Sequence, residues 1–332
     1  MLHQWNHKIF NTSKADFEAL ALEIFRFQYE HNPVYQSFVD LVLPQITAVD
    51  SLTKIPFLPI SFFKSSLVQT TSFTPEKIFE SSGTTATGNS RHGIKEISLY
   101  EESLIKGFEH FYGNSEAYCF LGLLPSYLER DNSSLVYMVQ KLTEQSQCEE
   151  RGFYLNDYDA LAATLASVES KKQKTILIGV TFALLDFAKQ CPMPLQHTTI
   201  IETGGMKGRR KELIRKEVHD ILQKAFGLTE IHSEYSMTEL LSQAYSLEQN
   251  IFQTPPWMKV LIRSEDDPFF VKEEGAGLLN IIDLANIYSC SFIATDDAGK
   301  IYKNKNDDVK EVFEVLGRMD GSDLRGCSLL TI

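Results

Sequence analysis

The chain has 332 residues, 43% of them hydrophobic, which is enough for one large core or two of ordinary size. Its formal charge of -12 argues against nucleic acid as an obligatory partner. Five cysteines, Cys119, Cys148, Cys191, Cys290 and Cys327, are odd in number and form no CxxC pair, which suits a reducing compartment rather than a disulfide framework or a structural zinc site.

The N-terminus has no uninterrupted apolar stretch of the secretory kind, and the longest apolar run, 175–187, is too short to cross a membrane. A soluble cytoplasmic protein is expected. A helix is expected over 13–30, capped by Ser13 with Asp16 and returning Phe17, Leu20, Ile24 and Phe27 or Gln28 at helical spacing. A second follows over 35–43. Pro56 and Pro59 make 55–60 an extended connector, and Phe62 and Phe63 after it read as core anchors. Lys77-Ile78-Phe79 reads as a short strand.

Between Ser81 and Ser90 every residue except Ala86 and Asn89 is Ser, Thr or Gly. Such a run neither builds a core nor sits well in a helix, but it can wrap backbone N–H groups and hydroxyls around phosphate oxygens. A flexible linker is the alternative reading of the same composition. Gly83 and Gly88 fit the Walker A outline, yet Asn89 stands where that motif needs its lysine, which sets the P-loop NTPases aside.

Apolar runs at 117–125, 175–180 and 198–202 read as buried strands; 94–111, 135–142, 158–170 and 181–190 read as helices. Their alternation predicts an α/β fold with a parallel sheet covered by helices on both faces. Gly204 and Gly205 follow the last of these strands, where open α/β sheets bind ligands. A helix with Leu213, Ile214, Val218, Ile221, Leu222 and Phe226 as one stripe stops at Gly227, and 228–232 reads as a further strand. From 257–262 and 277–283 the alternation suggests a small β subdomain beside the main sheet. Asp296-Asp297 reads either as part of a binding motif or as an acidic hairpin turn.

Ser81-Ser82-Gly83-Thr84-Thr85, with Gly88 and Arg91 after it, resembles the phosphate loop of the adenylate-forming (ANL) superfamily. The segment 56–64, with its Pro-Phe-x-Pro start and Phe62-Phe63-Lys64 end, is similar to what the acyl-protein synthetase group, near the phenylacetate–CoA ligases, carries before that loop. Tyr235-Ser236-Met237-Thr238-Glu239 resembles the superfamily's Tyr-Gly-x-Thr-Glu, with Ser236 in the glycine position. Thr295-Asp296-Asp297 resembles Thr-Gly-Asp, and Gly317-Arg318-Met319-Asp320 resembles Gly-Arg-x-Asp.

The resemblance implies that Ser81, Ser82, Gly83, Thr84, Thr85, Thr87 and Gly88 hold the outer phosphates of ATP. It implies that Gly204 and Gly205 lie against the acyl pocket and adenine, with Lys207 nearby as a cation for a phosphate or carboxylate. Tyr235 would stack on adenine, Thr238 bond the α-phosphate, Glu239 hold Mg2+, Asp297 bridge the ribose hydroxyls and Arg318 approach ribose or phosphate. Residues 1–316, helical over 1–75, would form the adenylating domain; 317–332 would be a tail, without the superfamily's lid and its catalytic lysine. Cys327 matches the cysteine that carries the acyl group in the synthetase group, and Arg325 beside it would favour the thiolate.

The expected enzyme is an acid–thiol ligase. It would activate a fatty or aryl acid to acyl-AMP and pass the acyl group to Cys327, CoA or a carrier-protein thiol, with a reductase or acyltransferase as a further partner. The rival readings are an acyltransferase that loads Cys327 from a preactivated acyl group without ATP, and a nucleotide-binding subunit that is inactive alone.

Overall fold

The computed structural model describes residues 2–81, 88–124, 132–204, 213–302 and 311–318. Three helices open the chain: α1 (Leu2–Phe10), α2 (Phe17–His31) and α3 (Pro33–Val42). The Ser13 hydroxyl accepts from the Asp16 N–H at 3.2 Å in the turn that enters α2. Phe17, Leu20, Ala21, Ile24, Phe25 and Gln28 form the buried face of α2. Asn32 caps α3 by accepting from the Tyr35 N–H at 3.0 Å, and Pro33 takes the first helical position, where no N–H is needed.

The extended connector contributes β1 (Leu58–Pro59) and is followed by the single turn α4 (Phe62–Ser65). Next, β2 (Lys77–Glu80) and β3 (Arg91–Ile94) form a separate antiparallel pair with Glu80 opposite Arg91. The hydroxyl-rich segment thus stands between two paired strands, and its residues 82–87 lie outside the described residues. Helix α5 (Ile97–Tyr112) starts three residues later than expected. Ile94 is held in β3 opposite Lys77, and the Ile97 N–H is taken by the Glu76 carboxylate at 2.8 Å.

A parallel layer follows: β4 (Cys119–Leu123), α6 (Ser134–Gln145), β5 (Gly152–Phe153), α7 (Tyr158–Ser170), β6 (Thr175–Gly179), α8 (Thr181–Gln190), β7 (Thr198–Glu202), α9 (Arg215–Phe226) and β8 (His232–Tyr235). Its spatial order is β5-β4-β6-β7-β8. Every residue of β4 and β6 is buried, as strands covered on both faces must be. In α9 the buried face is Val218, His219, Leu222 and Phe226, while Ile214 and Ile221 of the expected stripe are exposed. The strand expected at 228–232 is displaced to 232–235. Gly227 ends α9 in the left-handed region (φ 65°), the Leu228 N–H still returns to the Gln223 carbonyl, and pairing with β7 begins only at His232.

The remaining strands are β9 (Ala244–Ser246), β10 (Phe252–Gln253), β11 (Met258–Arg263), β12 (Val271–Lys272), β13 (Gly275–Asp283), β14 (Phe292–Tyr302) and β15 (Val312–Arg318). They do not form the separate β subdomain expected. β9 turns back antiparallel on β8, and the order runs on as β9-β10-β15-β14-β13-β11-β12, making one mixed sheet. Asp296 and Asp297 lie inside β14 rather than in a hairpin turn, next to a register shift against β15 at Ala298 and Gly299. A side chain at Gly299 would meet the Glu314 carbonyl at 2.5 Å, so this irregularity needs glycine.

Cys119 and Cys148 are joined as a disulfide with Cα atoms 5.1 Å apart, which corrects the expectation of unpaired thiols; Cys191 and Cys290 are free. The crossover from β4 through α6 brings the two sulfurs together at the base of the parallel layer. Among the described residues no helix is long and apolar enough to cross a membrane.

Candidate active site

Three segments far apart in sequence meet where β8, β14 and β15 come together. The Tyr235 hydroxyl, at the end of β8, donates to Asp297 Oδ2 at 2.7 Å. Arg318, paired with Asp297 across β14 and β15, donates from Nε to Asp297 Oδ1 at 3.1 Å. The Asp297 N–H is in turn accepted by Thr295 Oγ1 at 3.2 Å. All three side chains are buried, and the Tyr235 ring is wedged edge-on between Phe252 and Phe313. Burying an ion pair is costly unless the remaining lone pairs are bonded, and here the tyrosine supplies one of those bonds.

A second cation backs this group. Arg263 donates from Nη1 to the Leu279 carbonyl at 3.2 Å and to Asn280 Oδ1 at 2.9 Å, and from Nη2 to the Thr295 carbonyl at 2.5 Å. Burial pulls its pKa down, and the charges of Asp296 and Asp297 oppose that shift. Arg263 thus braces the strand that presents Asp297.

Beyond Tyr235 the chain turns, and backbone groups on both sides of Glu239 are held. His92 Nδ1 lies 2.8 Å from the Thr238 carbonyl. Asn286 Nδ2 donates to the Glu239 carbonyl at 2.7 Å. The Asp283 carboxylate accepts from the Leu241 N–H at 2.8 Å, the Ser242 N–H at 3.0 Å and the Ser242 hydroxyl at 2.6 Å. Glu239 is fully buried and Thr238 half-buried. His92 is buried too; desolvation drives its pKa down to about 4, against the opposing pull of the Thr238 bond and the Glu239 charge.

The neck of the hydroxyl-rich hairpin is closed by two bonds: the Ser81 N–H to the Ser90 carbonyl at 3.0 Å and the Ser90 N–H to Ser81 Oγ at 2.9 Å. Gly88 adopts φ 87°, which a side chain would strain. At the carboxyl end of β7, the Gly204 N–H donates to Glu202 Oε1 at 2.8 Å, Thr181 bonds the same carboxylate, and Arg215 Nε stands 3.7 Å from Oε2. On β8, burial raises the Glu234 carboxyl to about 7, with the Ser236 hydroxyl and Arg215 opposing and Glu202 adding to the rise.

The structure therefore brings Tyr235, Asp297 and Arg318 into direct contact, and sets Thr238 and Glu239 directly after Tyr235 and against the hairpin strand that carries His92. Ser81, Gly88 and Gly204 are described. Ser82, Gly83, Thr84, Thr85, Thr87, Gly205, Lys207 and Cys327 lie outside the described residues. His92, Arg263, Asp283 and Asn286 escaped the motif reading. For Arg263 and Asp283 the only signal was a charge at the end of an apolar strand, 258–263 and 278–283; His92, beside the hydroxyl-rich run, and Asn286 had none that pointed to a contact.

Residues 10–331 match the model of the family described as acyl-protein synthetase, LuxE. The chain belongs to the acyl-protein synthetase family. It is accordingly a ligase of that family, built on the adenylate-forming fold. This acyl-protein synthetase is similar to the long-chain-fatty-acid–luciferin-component ligase of Vibrio harveyi, with 25% identity over 330 residues, covering 92% of this chain and 84% of the relative. Among solved structures, 2-hydroxyisobutyryl-CoA ligase, captured with 2-HIB-AMP and CoA in the thioesterification state, superposes with a TM-score of 0.65 at 12% identity. The match covers 93% of this chain and 68% of that one, and the likeness is one of fold.

Proposed function

We propose that this acyl-protein synthetase activates a carboxylic acid, fatty or aryl, with Mg-ATP and hands the acyl group to a thiol. The acid's carboxylate attacks the α-phosphorus, pyrophosphate leaves, and a thiolate then displaces AMP to form a thioester. Residues 1–316 act as the adenylating domain, and Cys327 in the tail is the internal candidate for the thiol. The chain length of the V. harveyi relative's substrate favours a fatty acid here. CoA or a carrier protein is the alternative acceptor, and a reductase or acyltransferase is the partner class that would take the acyl group onward.

The observation that carries this reading is the Tyr235–Asp297–Arg318 contact, because three motifs separated in sequence converge on one carboxylate. A carboxylate that already accepts one donor at each oxygen has the chemistry to accept the paired hydroxyls of a ribose. Mg2+ commonly takes one or two carboxylates and completes its shell with phosphate oxygens and water; Glu239 would be the protein ligand. When bound, the ion offsets triphosphate charge. The remaining catalytic work falls to the chain: Thr238 and the N–H groups of 81–88 orient phosphates, Gly204 lets the backbone approach, and Arg318 and Asp297 fix the nucleoside.

The test is to incubate the protein with Mg-ATP and a panel of fatty and aryl acids, then measure pyrophosphate release together with the intact mass of the chain. Acid-dependent pyrophosphate and a mass gain of one acyl group, abolished by Cys327→Ser, are expected. Loading of Cys327 from acyl-CoA with no requirement for ATP would replace this reading with that of an acyltransferase.

A further inference from the structure

The β2–β3 hairpin and the 236–243 turn are far apart in sequence, and in the proposed reading one handles phosphates and the other the metal. The His92 side chain joins them. It leaves β3 two residues after the closed neck at Ser90 and reaches the Thr238 carbonyl, 146 residues away in sequence, at 2.8 Å. A carbonyl only accepts, so Nδ1 carries the hydrogen and Nε2 the lone pair. The ring is 1% exposed and meets Phe63 edge-on at 5.6 Å, which fixes its plane.

The turn's other hydrogen bonds include those from the 283–286 side, Asp283 to Leu241 and Ser242 and Asn286 to the Glu239 carbonyl, and two on the Ser242 hydroxyl, with Ser103 of α5 at 3.0 Å and from Trp257 Nε1 at 2.9 Å. Those bonds hold residues 239–242 of the turn against α5, Trp257 and the end of β13. From the hairpin side, His92 takes hold of the turn at the Thr238 carbonyl. The side chains of Thr238 and Glu239 hang from the stretch of backbone that this bond ties to the hairpin.

We propose that His92 is a positioning residue for nucleotide binding, locking the Thr238–Glu239 turn to the phosphate hairpin through its Nδ1–H. This rests on the nucleotide reading above. It also assigns Phe63, in the single turn α4 after the proline-rich connector, to keeping that imidazole in plane.

The test is calorimetric binding of Mg2+ with α,β-methylene-ATP, which needs no turnover. In His92→Asn the amide nitrogen takes the place of Nδ1, so affinity should stay close to wild type. In His92→Gln the amide lies at the place of Nε2, and in His92→Phe no donor remains; both should bind about tenfold more weakly, the scale of one lost hydrogen bond to a carbonyl left unpaired. If the Phe variant does not fold, the Asn and Gln variants decide the matter between them. Equal affinity of Asn and Gln variants would overturn the proposal while leaving the nucleotide site standing. A wild-type protein that does not bind the analogue at all would overturn both.

Discussion

The Tyr235 hydroxyl and Asp297 Oδ2 are 2.7 Å apart although 62 residues separate them. The bond crosses from the last residue of the parallel layer to the middle of the antiparallel one, so it marks the seam between the two halves of the sheet. Arg318 completes it from a third strand.

Tyr235→Phe removes this hydroxyl and keeps the ring between Phe252 and Phe313. Asp297 keeps Arg318, so the loss of stability should be limited to about 1–2 kcal/mol, measured by denaturant unfolding. The KM for ATP should rise several-fold with little change in kcat, because the bond orients a binding group rather than a reacting one. An unchanged KM would separate Asp297 from the nucleotide.

Removing one member of the Asp297–Arg318 pair leaves the other charge buried. Asp297→Ala and Arg318→Met should each cost about 3 kcal/mol or more, and the double variant should cost clearly less than their sum. A double-mutant cycle by urea unfolding reads this coupling directly. Additive losses would mean that the two side chains act independently.

Glu234 predicts a particular pH dependence. Burial raises its carboxyl from 4.5 to about 7, so between these values the folded state keeps a proton that the unfolded state has released. Its contribution to stability is fully present below pH 4.5 and is lost as pH rises through 7. The buried His92 and His232, both pushed down to about 4, act oppositely: the unfolded state binds protons first as pH falls through 6.5, so they destabilise the fold towards pH 4. Glu234→Gln removes only the first effect. Relative to wild type it should gain up to about 3 kcal/mol between pH 4.5 and 8, with the histidine-driven loss at low pH intact. A constant difference across that range would show that Glu234 titrates normally.

Much of the parallel layer was legible because its central strands are buried on both faces and are bounded by helices with apolar stripes. Helices α7 and α8 and strand β7 fall at the residues that spacing alone indicates. Boundaries failed where tertiary bonds decided them. Ile97 begins α5 because Glu76 caps it, and β8 waits for its pairing with Ile201. The antiparallel half was read as a separate unit because short alternating strands look alike whether they stand alone or continue a sheet; the β8–β9 return that joins them has no periodic signal. In the candidate site, Tyr235, Asp297 and Arg318 could be found because each sits in a short motif. Arg263 and Asp283 could not, since a single charge at the end of an apolar strand looks solvated until the fold buries it and gives it partners.

The central claim is that the hydroxyl-rich hairpin and the Thr238–Glu239 turn serve one nucleotide during acid activation. ATP–pyrophosphate exchange, run with fatty and aryl acids on the wild type and on Glu239→Gln, tests it most directly. The prediction is acid-dependent exchange in the wild type that falls about a hundredfold or more in the variant, at a comparable melting temperature. Undiminished exchange in Glu239→Gln, or none in the wild type with any acid, would contradict it.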